Sequence, residues 1–115
     1  MQQIGPAGSQ ATDLNDAGQV VGTSWAGAFL WESGRITYLG FLPGGGSSDA
    51  WAINRQGQVV GQATLGHSSF AVLWEMGAIY NLESLIPADS GWRLWWASDI
   101  NDRGQIVGFG YHHGQ

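Results

Sequence analysis

An eight-residue motif recurs three times and constrains the fold of this chain more than any other feature. The motif is Asn-x-x-Gly-Gln-(Val/Ile)-Val-Gly, and its copies occupy residues 15–22, 54–61 and 101–108. Successive copies begin 39 and 47 residues apart. A motif that returns at such a period predicts a repeat protein, in which each copy belongs to one supersecondary unit that packs against its neighbours.

The first half of the motif predicts a tight turn. An Asn side chain caps the backbone two residues on, and a Gly with positive φ closes a type I turn followed by a bulge. The runs before and after the turn are short and rich in β-branched residues, which favours strands. Each motif therefore predicts a β-hairpin. The residues assigned to the three turns are Asn15 and Gly18, Asn54 and Gly57, and Asn101 and Gly104.

A second hairpin follows each of the first two motifs. Residues 28–34 read Ala-Phe-Leu-Trp-Glu-Ser-Gly, and residues 71–77 read Ala-Val-Leu-Trp-Glu-Met-Gly. Both segments lead through glycine into another short apolar run, so each complete unit contains four predicted strands. Between the second and third strands, residues 62–69 form a longer segment than residues 23–27. A longer loop is therefore expected at that point in the second unit.

A period near 40 residues with four strands predicts an all-β chain of four-stranded antiparallel blades of the β-propeller type. Frequent glycine and the absence of a sustained helical apolar pattern disfavour helical repeats. Residues 1–115 form one predicted repeat domain of about two and three-quarter repeats. The expected divisions are a last strand of a preceding blade at 1–5, blades at 6–40 and 41–83, and a partial blade at 84–115. Because such an arc exposes strand edges, we expect closure by self-association into a homo-oligomer.

Composition excludes several classes of partner and chemistry. The chain has no Lys, and its 4 Arg against 9 acidic residues give a net charge of −5, so no nucleic-acid partner is expected. Cysteine is absent, which excludes disulfides and cysteine nucleophiles. The apolar runs are too short to cross a membrane. The first residues, Met-Gln-Gln-Ile-Gly-Pro, lack the features of a signal peptide.

Three segments together resemble the HAF repeats of bacterial extracellular proteins. They are Leu-Gly-Phe-Leu-Pro-Gly-Gly-Gly-Ser-Ser-Asp-Ala-Trp-Ala-Ile-Asn at 39–54, Gly-Gln-Val-Val-Gly at 57–61 and Ala-Val-Leu-Trp-Glu-Met-Gly at 71–77. The resemblance extends over nearly the whole chain and implies an extracellular or cell-surface location. It brings no catalytic residues with it. The chain departs from the family pattern at Gly27 and Phe70, where a His is usual before the following Ala.

The candidate binding residues lie where the copies differ. Aromatic residues with a nearby Arg stack on sugar rings and are also favoured in protein interfaces, so both glycan and protein ligands are considered. In an extended segment, Trp92 and Trp96 share one face while Arg93 and Trp95 share the other. The histidines fall in predicted loops between second and third strands, where solvated side chains are favoured over a metal site. The full set is Trp92, Arg93, Trp95, Trp96, His67, Tyr111, His112 and His113.

No catalytic residue, metal site or cofactor is predicted. Glu32 and Glu75 are the carboxylates considered for glycoside cleavage, but their shared place in Trp-Glu-x-Gly turns suggests a structural part played twice. Oxygen side chains around the first and third turns suggest a calcium loop. The middle copy has Ala52 and Arg55 at the corresponding positions, which favours turn capping instead.

These observations favour a non-catalytic extracellular repeat module that oligomerises into a propeller-like assembly and binds glycan or protein. Two alternatives remain open on sequence grounds. One is a propeller-type glycoside hydrolase or lyase, with carboxylates contributed by several blades. The other is a purely structural repeat scaffold.

Overall fold

A computed structural model describes residues 10–85 and 92–112 of the chain. The described residues form ten β-strands and one short 3₁₀ helix. The strands are β1 Gln10–Leu14, β2 Gln19–Ser24, β3 Gly27–Glu32, β4 Arg35–Tyr38, β5 Ser47–Ile53, β6 Val59–Leu65, β7 Ser68–Glu75, β8 Ala78–Asn81, β9 Trp92–Ile100 and β10 Ile106–His112, and the 3₁₀ helix is Leu82–Leu85.

The strands form three antiparallel sheets. Sheet 1 has the order β1-β2-β3-β4, sheet 2 has the order β5-β6-β7-β8, and sheet 3 consists of β9 and β10. Every pairing joins strands that are adjacent in sequence, so each sheet is a simple meander. The prediction of an all-β, antiparallel chain is confirmed. Over 10–85 and 92–112 the strands close neither a barrel nor a propeller, and no helix there has the length and apolarity to cross a membrane.

The repeated motif forms the turn between the first two strands of each sheet. In sheet 1, the Asn15 amide donates to the Gln19 carbonyl at 3.0 Å, and the Gly18 amide donates to the Asn15 carbonyl at 3.2 Å. The same two bonds recur in the other two sheets. Glycine is required here because φ is +83°, +84° and +81° at the three equivalent positions, Gly18, Gly57 and Gly104.

The last glycine of the motif lies opposite a β-bulge in the first strand of its sheet. The pairing of β1 with β2 shifts between Ala11 and Asp13, and that of β5 with β6 shifts between Ala50 and Ala52. The bulge brings the backbone of the first strand close to the motif's last residue. A Cβ built on Gly22 or Gly61 would overlap a carbonyl oxygen of that strand. The final glycine is therefore a steric requirement of the bulged pair.

The sheets pack face to face in sequence order. One buried cluster joins sheets 1 and 2 and includes Val21, Ile53 and Trp74, while a second joins sheets 2 and 3 and includes Val60 and Ile100. Along β6 and β7 the side chains alternate between these two clusters, as expected for strands buried on both faces. Sheet 2, which lies between sheets 1 and 3, therefore contributes to both buried clusters.

Two predicted loops are strands instead. Residues 62–69 extend β6 and β7, which pair as far as Leu65 and Ser68 and leave a two-residue turn at Gly66 and His67. The expectation of a longer loop was wrong because the extra residues continue the pairing. Tyr111 and His112 likewise lie in β10. In β9 the pairing with β10 shifts register between Leu94 and Trp96.

We predict that Gly61→Ala lowers the free energy of unfolding by at least about 2 kcal/mol, because the added methyl group overlaps the Asp49 carbonyl in the middle of a packed sheet. Urea denaturation measures the change. Gly46→Ala is the matched control, since a Cβ there meets no atom within 4 Å. Equal stability of the two variants would contradict the steric role of Gly61.

Candidate functional site

The three motif turns lie one above another and form what we name the turn column, comprising residues 15–18, 54–57 and 101–104. Each turn is closed by its own Asn side chain. Asn15 Oδ1 accepts from the amides of Ala17 and Gln19 at 3.1 and 3.0 Å. Asn54 and Asn101 accept from the amides of Gln58 and Gln105 at 2.9 and 3.0 Å. The Asn side chain therefore acts as the internal cap of the turn.

The same side chains also connect neighbouring turns. Asn15 Nδ2 donates to the Asn54 carbonyl at 2.9 Å, and Asn54 Nδ2 donates to the Asn101 carbonyl at 3.0 Å. The carbonyl that closes one turn is thus also bound by the preceding unit. Asn15 is 8% exposed and Asn54 is 3% exposed, whereas Asn101 is exposed to solvent. These Asn-to-carbonyl bonds form a ladder that runs in one direction along the turn column and ends at the exposed Asn101.

In sheets 1 and 2, a chain of side-chain hydrogen bonds connects the turn Asn to the Glu of the Trp-Glu-x-Gly turn. In sheet 2, Asn54 Nδ2 donates to Gln58 Oε1 at 2.7 Å, and Gln58 Nε2 donates to Glu75 Oε2 at 2.6 Å. In sheet 1 the corresponding Gln19–Glu32 bond is 3.4 Å. Both carboxylates considered for catalysis therefore bind a glutamine of their own unit. This arrangement explains why Glu follows both Trp31 and Trp74.

Charge alternates along the turn column. Arg55 of the middle turn lies 3.4 Å from an oxygen of Asp16 in the first turn and 3.7 Å from one of Asp102 in the third. The Arg55 amide also donates to Asp102 Oδ1 at 2.8 Å. The middle copy differs from its neighbours because its cation lies between two acids. These oxygens bind protein groups rather than converge on one point.

Further bonds between sheets 1 and 2 lie next to the column. Thr12 Oγ1 donates to the Ala50 carbonyl at 2.7 Å, and the Ile53 amide donates to Asp13 Oδ2 at 2.9 Å. Asp13 thus accepts from the backbone of the next unit. In the described part of the chain, no group of three or more His, Asp or Glu side chains is placed to hold a metal ion.

A cavity of about 350 Å³ lies between the outer strands of sheets 1 and 2. Its lining comes from β3 and β4 of sheet 1 and from β6, β7 and β8 of sheet 2, together with the turns at Gly57 and at Met76 and Gly77. Trp74 is only 3% exposed, and its Nε1 is buried without a hydrogen-bond partner among the described residues. Trp74 therefore contributes apolar surface to the cavity, while its indole N–H is enclosed by the fold. The lining of the cavity includes Leu30, Tyr38, Gly57, Trp74, Glu75 and Met76.

The residues proposed from sequence as a binding surface are only partly described. His67 is exposed in the turn between β6 and β7. Trp96 is half-buried, and its ring meets Trp51 edge to face, with centroids 6.2 Å apart and planes at 69°. The structure thus places Trp96 in a contact between sheets 2 and 3. The side chains of Trp92, Arg93, Trp95, Tyr111 and His112, and all of His113, lie outside the described part of the chain.

Sequence reasoning missed the cavity, and two of its residues show why. Tyr38 comes from the last strand of sheet 1, and Trp74 comes from the third strand of sheet 2. Tyr38 and Trp74 lie close together only because sheets 1 and 2 stack, so no contiguous sequence motif predicts the cavity. Trp25 was missed as well: it lies in the β2–β3 turn and is 86% exposed. Its position in a short turn was the available signal.

No known protein family matches the chain, and no curated protein or solved structure shows significant similarity to it. The turn column and the cavity are therefore interpreted from their own geometry. That geometry shows a repeated structural network and a cavity between sheets 1 and 2.

We predict that Asn54→Ala lowers the free energy of unfolding by about 1–2 kcal/mol more than Asn101→Ala. Both variants lose the cap of a turn, but only the first also loses a donor to the next unit and leaves the Asn101 carbonyl without that bond. Guanidinium denaturation of the two variants measures the difference. Equal losses would show that the ladder between turns contributes no stability.

Reversing the charge of Arg55 tests the alternation along the turn column. We expect Arg55→Glu to lower the free energy of unfolding by about 1 kcal/mol at low salt, because it places three acids in succession, and to recover most of that loss in high salt. The neutral variant Arg55→Gln is the control, with a smaller loss and little salt dependence. A loss in Arg55→Glu that does not respond to salt would exclude electrostatic repulsion as its cause.

Proposed function

We propose that this chain is a non-catalytic extracellular repeat module, in which the sheets are blades of the β-propeller type and copies associate head to tail. The resulting assembly binds glycan or protein. The observation that carries the proposal is the exposure of equivalent residues at the two ends of the stack of sheets.

The exposed fraction of the second β-branched residue of each motif shows whether another sheet covers that face. Val21 and Val60 are fully buried, since each faces the sheet that follows it. Val107 is at the corresponding position in sheet 3 and is 60% exposed. Its apolar surface is the same surface that the following sheet covers in the other two units. In a repeat array, this position is therefore buried wherever a further sheet follows.

The opposite end shows the complementary surface. Ile53 and Ile100 precede the second and third turns and are 5% and 6% exposed, because each packs on the preceding sheet. Leu14 holds the same position in sheet 1 and is 66% exposed. Val21 and Ile53 belong to one buried cluster inside the chain. Val107 of one copy and Leu14 of another are thus suited to repeat that contact.

Contact between unlike ends is a heterologous interface, which generates a ring when its rotation closes. A second copy placed after sheet 3 also brings its own first turn next to Asn101. The carbonyl of that turn can then accept from Asn101, as the Asn54 carbonyl accepts from Asn15 within the chain. Two copies supply about six blade equivalents, within the usual range for propellers. Association of this kind covers apolar faces that otherwise favour nonspecific contacts.

Separate observations support the extracellular location, the non-catalytic assignment and the ligand surfaces. The resemblance to HAF repeats supports an extracellular location. The hydrogen bonds from Gln19 and Gln58 to Glu32 and Glu75 support a structural part for these carboxylates rather than a catalytic one. Exposed Trp25 and the cavity beside Trp74 supply surfaces for a ligand. Hydrolysis of a glycan that is abolished by Glu75→Gln, with folding retained, would overturn the non-catalytic assignment.

We predict that the protein sediments as an oligomer at micromolar concentration and that Val107→Arg shifts it toward monomer, because a charge then occupies the apolar contact. Sedimentation velocity measures the distribution, and electron microscopy shows whether the assembly is a ring. Met76→Arg is the matched control, since Met76 is fully exposed in a turn away from Val107. A monomeric wild-type protein would contradict head-to-tail association.

A further inference from the structure

The first strand of each sheet has a bulge residue three positions before the turn asparagine. These residues are Thr12, Trp51 and Ser98, and each is left without a partner by a register shift in its strand pair. A β-bulge re-aims the side chain that it carries. Thr12 and Trp51 both contact the sheet that follows their own. The bulge therefore supplies a contact between successive sheets.

The contact between sheets 1 and 2 is polar. Thr12 Oγ1 donates to the Ala50 carbonyl at 2.7 Å. The next residue along the strand, Asp13, accepts from the Ile53 amide at 2.9 Å. Both groups on sheet 2 belong to the backbone, so this contact requires a hydroxyl and a carboxylate on the first sheet and an accessible strand backbone on the second.

The contact between sheets 2 and 3 is aromatic. The ring of Trp51 meets the ring of Trp96 edge to face, and Ala52 supplies no carboxylate at the position of Asp13. This contact requires an indole at the position of Trp96 on the second sheet. Sheets 1 and 2 have Gln10 and Asp49 at that position. The two kinds of contact therefore differ on both of the surfaces that meet.

Sheet 3 carries the polar pair. Its bulge residue is Ser98, and Asp99 follows it. Ser98 Oγ lies 3.3 Å from the Val107 carbonyl, as Thr12 Oγ1 lies 3.2 Å from the Val21 carbonyl in sheet 1. Among the described residues, Ser98 and Asp99 bond only within sheet 3, and Asp99 is exposed. The groups of the polar contact are thus repeated at the end of the stack.

Sheet 1 has the matching backbone at the other end. Ala11 and Leu14 correspond to Ala50 and Ile53, which take part in the polar contact inside the chain. Ala11 and Leu14 are exposed, whereas Ala50 and Ile53 are buried. Gln10 lies where the aromatic contact needs an indole. Sheet 1 therefore suits the polar contact and lacks the group that the aromatic contact requires.

We propose that Ser98 and Asp99 select the partner of sheet 3, which is the first strand of sheet 1 in a second copy of this chain. Ser98 Oγ donates to the Ala11 carbonyl of the second copy, and Asp99 accepts from its Leu14 amide. This inference rests on the proposed head-to-tail association and deepens it by naming the residues that determine its specificity. The contact repeats, between two copies, the one that joins sheets 1 and 2 within a copy.

Contact between two copies of sheet 3 is disfavoured. The backbone groups that the polar contact needs would then come from Ala97 and Ile100, which are buried in the cluster between sheets 2 and 3. Each copy would offer a hydroxyl and a carboxylate to a face that has no accessible strand backbone. Specificity of this kind arises as much from the mismatch with the wrong surface as from the match with the right one.

The turn column opposes the association at one point. A second copy in the same register brings its Asp16 next to Asp102, without a cation such as Arg55 between them. Exposed charges interact weakly, whereas a hydrogen bond to a carboxylate is stronger than one between neutral groups. The polar contact therefore outweighs this repulsion, which is partly screened at about 0.15 M salt.

Sedimentation of the full chain at that salt concentration measures the dissociation constant of the assembly. We expect Asp99→Ala to raise the dissociation constant about tenfold, through the loss of one hydrogen bond to a charged acceptor. Asp99→Asn keeps an oxygen that accepts from an amide, so its constant should stay within about threefold of wild type. Asp13→Ala is the matched control, because it removes the equivalent bond inside one copy and should destabilise the fold without weakening association.

The bulge residue provides a second, independent pair of variants. Ser98→Thr should associate like wild type, since Thr12 holds this position in sheet 1. Ser98→Trp is compatible with folding because Trp51 holds the position in sheet 2, but its indole would meet Gln10 in place of another indole. We expect it to raise the dissociation constant at least about tenfold. Equal constants for wild type, Asp99→Ala and Ser98→Trp would overturn the inference.

Crosslinking locates the contact, because the chain has no cysteine of its own. Equal amounts of Ser98→Cys and ¹⁵N-labelled Ala11→Cys are mixed and treated with a short thiol-specific crosslinker, and mass spectrometry identifies the products. We expect a crosslinked pair that contains one copy of each variant, and no crosslinked pair from either variant alone. Crosslinking of Ser98→Cys by itself would show contact between two copies of sheet 3 and overturn the inference.

The outcomes separate this inference from the proposed function. A wild-type protein that is monomeric at micromolar concentration contradicts head-to-tail association itself, and the inference fails with it. A wild-type oligomer that gives no mixed crosslink and does not respond to Asp99→Ala or Ser98→Trp overturns only the assignment of Ser98 and Asp99. In that case the association uses another part of the two end surfaces, and the repeat module stands.

Discussion

The side chain of the turn asparagine is the interaction on which the rest of the structure depends. Its oxygen closes its own hairpin, while its nitrogen binds the next hairpin at 2.9 Å from Asn15 and 3.0 Å from Asn54. One residue type therefore couples local folding to the stacking of units. Because a buried amide must satisfy both its oxygen and its nitrogen, the unit and its neighbour are specified together.

The bulge and its glycine make this coupling geometrically possible. The register shift in β5 lets Ala50 face sheet 1 while Ala52 faces sheet 3, and the close approach to Gly61 tolerates no side chain. Residues on both faces of sheet 2 are thereby buried, as in other sheets covered on two sides. The exposed Val107 and Leu14 then mark the two ends of the stack.

Much of this fold is predictable from sequence because its determinants are local. The hairpins follow from Asn-x-x-Gly and from the glycines after Glu32 and Glu75, whose neighbouring residues pair as antiparallel strands. The segment at 62–69 was not predictable as strand, since its polar residues resemble a loop and form strands only through pairing across the turn at Gly66 and His67. The candidate site was harder still to predict from sequence, because Trp74 has the sequence context of an ordinary core residue.

By itself the sequence determined the repeat, the type of its turns and the all-β class, because these properties depend on residues close together along the chain. Only the tertiary structure decided which carbonyl each asparagine binds, why Arg55 replaces an acid between Asp16 and Asp102, and where a cavity lies between sheets 1 and 2. The physical reason is that stacking brings together residues 39 or 47 positions apart. The burial and the partners of such residues depend on the packing of whole sheets.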